Sequence, residues 1–197
     1  MSAEPSFLEC PPDITGQDKL KILVLCTGNS ARSIMAEALF NSVGADYFKS
    51  WSAGSHPTGK VNPYAMEKIS SLGCKPEQLS SKSWLAFAHQ AAPAFDVVMT
   101  VCGNAAAEDC PVFPGNWCHI HWGLPDPAEH MSSPRLAQEA FDECFETLKR
   151  RIESVIYQMS VLSDSDPSDE DIVFEKQSKT MLIGLLKDHA NYGLHTL

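Results

Sequence analysis

The residues of this chain best suited to chemistry are a cysteine and an arginine with five residues between them, Cys26 and Arg32. An arginine guanidinium can bind two oxygens of a tetrahedral anion, and the backbone N–H groups of the intervening loop would point at the same anion. These groups would also lower the pKa of the Cys26 thiol and make it a nucleophilic thiolate. The residues predicted to bind the oxyanion are Thr27, Gly28, Asn29, Ser30, Ala31, Arg32 and Ser33.

This loop needs a strand before it and a helix after it to hold it in place. Residues 21–25 are an apolar run typical of a buried parallel strand, and residues 33–43 have helical periodicity. A loop that joins a strand end to a helix start directs its N–H groups inward. Gly28 supplies backbone freedom, Asn29 tolerates a left-handed conformation, and Ser33 can donate a hydrogen bond to the thiolate. The alternative is a buried structural cysteine beside a surface arginine, and the flanking elements favour the anion site.

The same alternation of strands and helices continues along the chain. Strands are predicted at 20–25, 48–53, 96–101 and 118–122, and helices at 33–43, 63–73 and 134–159. Such alternation predicts an α/β fold with a small central parallel sheet of about four strands and helices on both faces. The functional residues of such a fold lie at the carboxyl ends of the strands.

The two ends of the chain differ from this pattern. Residues 1–18 contain prolines and a glycine without periodicity and are predicted to be a mobile tail, ahead of a catalytic domain at 19–160. Residues 161–197 are predicted to be an extension that begins with an acidic linker. Beyond the linker, two short apolar stretches at 172–174 and 181–186 could form a strand or a helix.

Composition limits the class of protein. The chain has 197 residues and a formal net charge of −10, and 44% of its residues are hydrophobic. This length suffices for one good core, and the negative charge argues against a nucleic-acid partner. An anionic substrate must therefore be held by local geometry. Because the sequence shows neither a membrane-spanning apolar stretch nor the order of a signal peptide, a cytoplasmic protein without membrane contact is predicted.

Seven cysteines are present, at positions 10, 26, 74, 102, 110, 118 and 144. An odd number at wide spacing argues against a secreted disulfide scaffold and favours catalytic, redox-active or metal-binding thiols. Cys102 follows the predicted strand at 96–101, at the same sheet edge as Cys26, and Cys110 lies eight residues later. This placement permits a thiol relay, whereas two buried structural cysteines are the alternative.

A zinc site is a further alternative for this part of the chain. The residues close in sequence that can bind zinc are Cys102, Cys110, Cys118, His119 and His121. Structural zinc sites usually contain a Cys-x2-Cys or His-x3-His pair, which these residues do not form. No bound metal is therefore predicted.

Several short motifs, taken together and in order, are similar to those of one family. They are Cys26–Ser33, Met35-Ala36-Glu37, Ser52-Ala53-Gly54, Val61-Asn62-Pro63, His121-Trp122-Gly123 and Asp126-Pro127. The chain from about 19 to 159 resembles the thiol-dependent arsenate reductases built on the low-molecular-weight tyrosine phosphatase fold. The resemblance implies that fold and reduction of arsenate to arsenite for arsenic detoxification. It implies no tightly bound cofactor but an external thiol reductant, either thioredoxin or glutathione with glutaredoxin, with phosphate or sulfate as competing anions.

The resemblance also implies roles for three further residues. Asp126 corresponds to a general acid that the fold carries on an Asp-Pro loop over the anion. Cys102 would attack the adduct on Cys26, and Cys110 would then attack the Cys26–Cys102 disulfide. Because Cys102 must face two partners in turn, residues 103–109 are expected to be a mobile loop or a helix that can unwind.

The chain departs from relatives in two places, and a phosphatase remains the alternative function. Ala31 stands where some members have a second loop cysteine. Leu85 stands where relatives often have an aspartate that helps to hold a potassium ion. Whether such an ion binds near the loop is therefore left open. A phosphotyrosine phosphatase would use Cys26, Arg32 and Asp126 alone. Such enzymes place tyrosines beside the Asp-Pro pair, whereas Ala128-Glu129-His130 follows it here.

Overall fold

The computed structural model describes residues 19–73, 79–163 and 171–191. A four-stranded sheet with strand order β2-β1-β3-β4 lies at its centre, and every pairing is parallel. The strands are β1 (Leu20–Cys26), β2 (Phe48–Gly54), β3 (Val97–Thr100) and β4 (Cys118–His121). The α-helices are α1 (Arg32–Ser42), α2 (Pro63–Ser70), α3 (Gly103–Ala107), α4 (Pro134–Ser163) and α5 (Asp171–Asp188). Within the described residues, short 3-10 helices span Trp84–Phe87, Pro127–His130 and His189–Asn191.

The register of the sheet brings the predicted functional segments to one edge. Cys26 pairs with Gly54, Leu25 with Thr100, and Thr100 with His121. Since all four strands run in the same direction, the chain leaves each of them at this edge. The parallel α/β fold is confirmed, and the segments predicted to carry the site end at one edge of the sheet.

The larger core lies on one face of the sheet. Ile22 and Val24 of β1 pack there with α1 and with the apolar side of α4, including Phe141 and Leu148. All four side chains are fully buried. Helix α4 begins at Pro134 as predicted and continues to Ser163, four residues beyond the predicted end.

The opposite face is covered by shorter elements. Leu23 and Leu25 of β1 pack with Phe87, from the 3-10 helix Trp84–Phe87, and with Phe95 and Phe113. The ring of Phe95 meets those of Phe87 and Phe113 edge-on, with centroids 5.8 Å and 6.3 Å apart. Edge-on aromatic contacts of this kind add to the stabilisation from buried area.

Part of the sequence analysis falls outside the described residues. The predicted tail at 1–18 lies outside them, and so do residues 164–170 of the predicted acidic linker. Beyond the linker, the chain forms helix α5, one of the two options left open by the sequence. Within the described ranges, no helix combines the length and apolar character needed to cross a bilayer.

Candidate active site

The loop between β1 and α1 wraps around the Cys26 sulfur. The Asn29 N–H lies 3.1 Å from Cys26 Sγ, and the Ser33 hydroxyl lies 2.9 Å from it. Asn29 has a φ of +41°, so the predicted left-handed residue is confirmed. Gly28 does not have a positive φ, and a Cβ there would meet only ordinary contacts, with Thr58 Cγ2 nearest at 3.4 Å.

The side chain of Asn29 holds this loop to its surroundings. Its Nδ2 donates to Ser33 Oγ at 3.0 Å and to Ser52 Oγ at 2.9 Å, and its Oδ1 accepts from the Lys82 N–H at 2.7 Å. The side chain is fully buried, so each polar atom needs such a partner. Because Ser33 Oγ already accepts from Asn29, its own hydrogen is free to be donated to the Cys26 sulfur.

A buried carboxylate continues this network away from the sulfur. The Ser52 hydroxyl donates to Glu37 Oε2 at 2.5 Å, and Lys82 Nζ lies 3.7 Å from the same oxygen. Burial raises the pKa of Glu37, although the Lys82 ammonium and the Ser52 hydrogen bond act in the opposite direction. A chain of hydrogen bonds therefore connects Cys26 through Asn29 and Ser52 to Glu37, whose carboxyl group faces the Lys82 ammonium.

Potassium does not fit this position. The polar side-chain atoms of Asn29 and the Ser52 hydroxyl are already engaged within the network. Lys82 already supplies a positive charge to Glu37. Leu85, at the position where the resemblance implies an ion-binding acid in relatives, is 65% exposed. The Lys82 ammonium therefore supplies the positive charge beside Glu37 that a bound cation would supply.

The prediction that the pKa of the Cys26 thiol is lowered is wrong. Burial raises the pKa of this thiol, and hydrogen bonds from Ser33 and from the Asn29 N–H lower it by less. The neighbouring Cys102 thiol also raises it. The loop amides lower the pKa as predicted. Cys26 is only 4% exposed, however, and the desolvation of its thiolate raises the pKa by more than the amides lower it. The positive charge of Arg32 is engaged with a carboxylate instead.

Arg32 and Asp126 meet at the mouth of the loop. Arg32 Nη2 lies 2.8 Å from Asp126 Oδ2, and Arg32 Nη1 donates to the Leu124 carbonyl at 3.0 Å. Asp126 also caps the following 3-10 helix by accepting the Ala128 N–H at 3.1 Å. The structure thus brings the predicted anion-binding arginine and the predicted acid together. An anion that took over both of these contacts would replace the two oxygens.

The three candidate relay thiols lie in different environments. Cys102 is buried beside Cys26, 3.6 Å from the Thr27 hydroxyl, and its sulfur accepts the Ala105 N–H at 3.4 Å. It caps α3, so residues 103–107 form a short helix, one of the two expected states of this segment. Cys110 is exposed at the surface. The partial desolvation of its thiol, together with the charge of Glu108, raises its pKa.

The remaining described cysteines do not join this group. Burial raises the pKa of Cys144 to about 12, as expected of an inert core thiol. Cys118 is half-buried at the start of β4. Cys10 and Cys74 lie outside the described residues.

The two histidines of the zinc alternative have another partner. The Thr100 hydroxyl lies 2.9 Å from His119 Nε2 and 2.8 Å from His121 Nδ1. Burial and the neighbouring His121 both lower the pKa of His119. Among the described residues, no three side chains of the kinds that bind metals are grouped together.

Two structural residues of the site were missed from the sequence. Lys82 reaches both Asn29 and Glu37, although it is distant from them in the chain. A Cβ at Gly54 would lie 2.4 Å from the Thr27 carbonyl oxygen, so only glycine lets β2 end against the loop. Gly54 ends the motif Ser52-Ala53-Gly54, and Lys82 lies three residues before Leu85, but their roles depend on chain segments that only the fold brings together.

Comparison with known proteins agrees with this geometry. Residues 21–164 match the family model described as low molecular weight phosphotyrosine protein phosphatase. Arsenate reductase 1 of Staphylococcus epidermidis is 33% identical over 135 residues, 68% of this chain and 98% of that protein. The arsenate reductase of Bacillus licheniformis is 36% identical over 141 residues, 69% of this chain and 97% of that protein.

Solved structures share the fold. An arsenate reductase in the phosphate binding state superposes with a TM-score of 0.52 at 25% identity, over 71% of this chain and 98% of that one. A low molecular weight protein tyrosine phosphatase from T. tengcongensis has a TM-score of 0.53 at 20% identity, over 71% of this chain and 99% of that one, which shows the fold alone. Since the family model spans most of this chain and the two bacterial relatives are matched along nearly their whole length, the chain belongs to the low molecular weight phosphotyrosine protein phosphatase family and to its arsenate reductase branch.

Proposed function

We propose that this protein reduces arsenate to arsenite through a covalent adduct on Cys26 and a relay of three thiols. The observation that carries the proposal is the second thiol, Cys102, which is buried beside the nucleophile and held by the Thr27 hydroxyl. Hydrolysis of a phosphate ester needs no such thiol, whereas reduction of arsenic does. The names of the two bacterial relatives, both arsenate reductases, support the same conclusion.

The first step is substitution at arsenic. Arsenate enters the loop, and its oxygens replace Asp126 and the Leu124 carbonyl as partners of Arg32. Cys26 Sγ attacks arsenic, with the Ser33 hydroxyl stabilising the thiolate. Once the anion has displaced it from Arg32, Asp126 takes up a proton from solvent. A bond then forms between sulfur and arsenic while one As–O bond breaks, and Asp126 gives its proton to the departing oxygen, which leaves as water. The thiol proton passes to the bound dianion, so charge is conserved.

The second and third steps move two electrons. Cys102 loses its proton and attacks Cys26 Sγ as the thiolate. A disulfide forms as the S–As bond breaks, and the arsenic leaves with the bonding electron pair, takes up that proton and is released as arsenite. Arsenic(V) is thereby reduced to arsenic(III) while two thiols are oxidised. Cys110 then attacks Cys102 Sγ and sets Cys26 free. Two external thiol groups, from thioredoxin or from glutathione with glutaredoxin, reduce the Cys102–Cys110 disulfide at the surface, where Cys110 is exposed.

Single-turnover chemistry of two variants tests the relay. Cys102→Ser should accumulate the Cys26 adduct and release almost no arsenite. Cys110→Ser should release about one arsenite per enzyme and then stop with Cys26 linked to Cys102. Cys118→Ser is the matched control, because this half-buried thiol has no step assigned to it, and it should turn over as the wild type does.

Disulfide mapping and a phosphate ester complete the test. Peptide mapping of the stalled Cys110→Ser enzyme should find the Cys26–Cys102 bond, and any other pairing contradicts the relay. Ester hydrolysis without arsenite release in the wild type would assign the phosphatase function instead.

A further inference from the structure

Helix α5 lies outside the part of the chain that the family shares. The family match ends at residue 164, and α5 spans Asp171–Asp188. The helix nevertheless packs into the larger core, where Leu182 is 4% exposed and Leu186 is fully buried. Lys179 adds an ion pair, with its Nζ 3.5 Å from Asp96 Oδ2 at the start of β3. The extension is therefore joined to the body of the fold.

Trp122 is the residue through which α5 contacts the segment that leads to Asp126. This tryptophan follows β4 directly and is fully buried. Its indole N–H donates to the Leu186 carbonyl at 2.9 Å. Leu186 is one of the last four residues of α5, whose carbonyls have no partner within an α-helix. A buried indole N–H needs an acceptor, and the end of α5 supplies it.

The ring of Trp122 is held by two more helices. It lies against Phe40 of α1, with centroids 5.9 Å apart. The Arg151 guanidinium of α4 lies 5.7 Å from its ring centroid. The side chain is thus fixed at its polar end by α5 and at its faces by α1 and α4, and a large side chain held in this way restricts the backbone that carries it.

The backbone after Trp122 leads directly to the catalytic acid. The Trp122 N–H donates to the Thr100 carbonyl at 2.8 Å, and the Leu124 N–H donates to the Val101 carbonyl at 3.3 Å. Two residues beyond Leu124, Asp126 contacts Arg32. We call residues 123–131 the acid loop. Its first residue, Gly123, directly follows Trp122, whose indole N–H donates to the Leu186 carbonyl of α5.

We propose that α5 positions the acid loop: the hydrogen bond from the Trp122 indole to the Leu186 carbonyl fixes the chain that carries Leu124 and Asp126 over Arg32. Trp122 and Leu186 are positioning residues, since neither touches the reacting atoms. The effect on turnover rests on the proposed role of Asp126 as the acid. The effect on the order of the acid loop does not depend on that role.

Hydrogen exchange of the free enzyme tests the positioning without any substrate. Trp122→Phe removes the indole N–H and keeps an aromatic ring, so amides of the acid loop should exchange about 3- to 10-fold faster, as expected for one hydrogen bond. Trp117→Phe is the matched control, because the Trp117 indole donates to the Phe113 carbonyl at 3.2 Å, next to the smaller core. It should leave exchange of the acid loop unchanged.

A second variant reaches the same loop without altering Trp122. Leu182→Ala loosens the packing of α5 and should accelerate exchange of the acid loop in the same direction. Unchanged exchange in both Trp122→Phe and Leu182→Ala would overturn the proposal. An equal acceleration in Trp117→Phe would also overturn it, because the effect would then be general.

A double-mutant cycle tests whether the order of the loop serves the acid. Trp122→Phe should slow formation of the Cys26 adduct about 3- to 10-fold in the wild-type background and hardly at all when Asp126 is already asparagine. The phosphate concentration that protects Cys26 from alkylation should stay within about twofold of the wild-type value, because the anion is held by residues 26–33. Equal slowing in both backgrounds would overturn the catalytic part. A wild type that forms no adduct would refute the proposed function, while the exchange result would still decide the positioning of the loop.

Discussion

The anion loop, residues 26–33, and the relay segment, residues 102–110, differ in how firmly the fold holds them. In the anion loop, Asn29 is fully buried and uses its side-chain amide for three hydrogen bonds. In the relay segment, a five-residue helix separates a buried thiol from an exposed one. A site that must match a tetrahedral anion gains from preorganised donors, whereas a thiol that must meet two partners gains from a segment of low local stability.

The largest expected effect concerns Asp126, which contacts Arg32 of the anion loop, compared with a carboxylate of the relay segment. Asp126→Asn should slow formation of the Cys26 adduct by about 10²- to 10⁴-fold, because the departing oxygen loses its proton donor. Asp109→Asn, an exposed carboxylate of the relay segment, is the matched control and should leave that step unchanged. Rapid-quench measurement of the adduct in a single turnover distinguishes them. A normal first step in Asp126→Asn would remove this residue from the mechanism.

The second comparison is one of stability. Asn29→Gly retains the left-handed backbone and removes three buried hydrogen bonds, so it should lower the free energy of unfolding by about 2–4 kcal/mol. Asn104→Gly, at an exposed position of α3, should lower it by about 0.5 kcal/mol or less. Urea denaturation of both variants measures the difference. Equal losses would mean that the two regions are held with equal firmness.

The third comparison stays within the anion loop. Ser33→Ala should raise the pKa of Cys26 further, because the variant loses a charge-assisted hydrogen bond to the thiolate. Ser30→Ala removes a hydroxyl from the same loop and should leave that pKa where it is. The pH dependence of iodoacetamide alkylation at Cys26 gives the value for each protein. A fall in the pKa would show that the hydroxyl accepts from the thiol rather than donating to the thiolate, and no shift would show that it favours neither form.

The smallest expected effect is a pH dependence of stability at Glu37. Its pKa is higher in the folded protein than its ordinary value of 4.5, so the folded protein binds the proton more tightly than the unfolded chain. The contribution of this group to stability is complete below 4.5 and is lost as pH rises through the folded value. Glu37→Gln should therefore gain stability relative to the wild type as pH rises, in urea titrations over that range. A constant difference would contradict the raised pKa.

Local sequence pattern was sufficient to predict much of the fold and part of the site. The strand before Cys26 and the helix after Arg32 were predicted from periodicity, and so was the parallel sheet that places both at a strand end. The left-handed conformation of Asn29 was predicted from its residue type. These features depend on short-range sterics and on patterns of burial, which a sequence carries directly.

The sign of the Cys26 pKa shift could not be predicted from the same residues. Amides and an arginine near the sulfur argue for a lower pKa, yet burial outweighs the hydrogen bonds, and Arg32 pairs with Asp126. Desolvation depends on how all surrounding elements close over the sulfur, which no motif encodes.

By itself the sequence determined the class of chemistry, because Cys26, Arg32 and the loop between them are contiguous and adopt their shape locally. Only the tertiary structure decided what surrounds them. Lys82 supplies the charge beside Glu37, Gly54 lets β2 approach the loop, and α5 reaches Trp122 from the far end of the chain. Each of these contacts joins segments distant in sequence. Such contacts form only when the whole core packs, and the sequence pattern of neither segment alone can specify its partner.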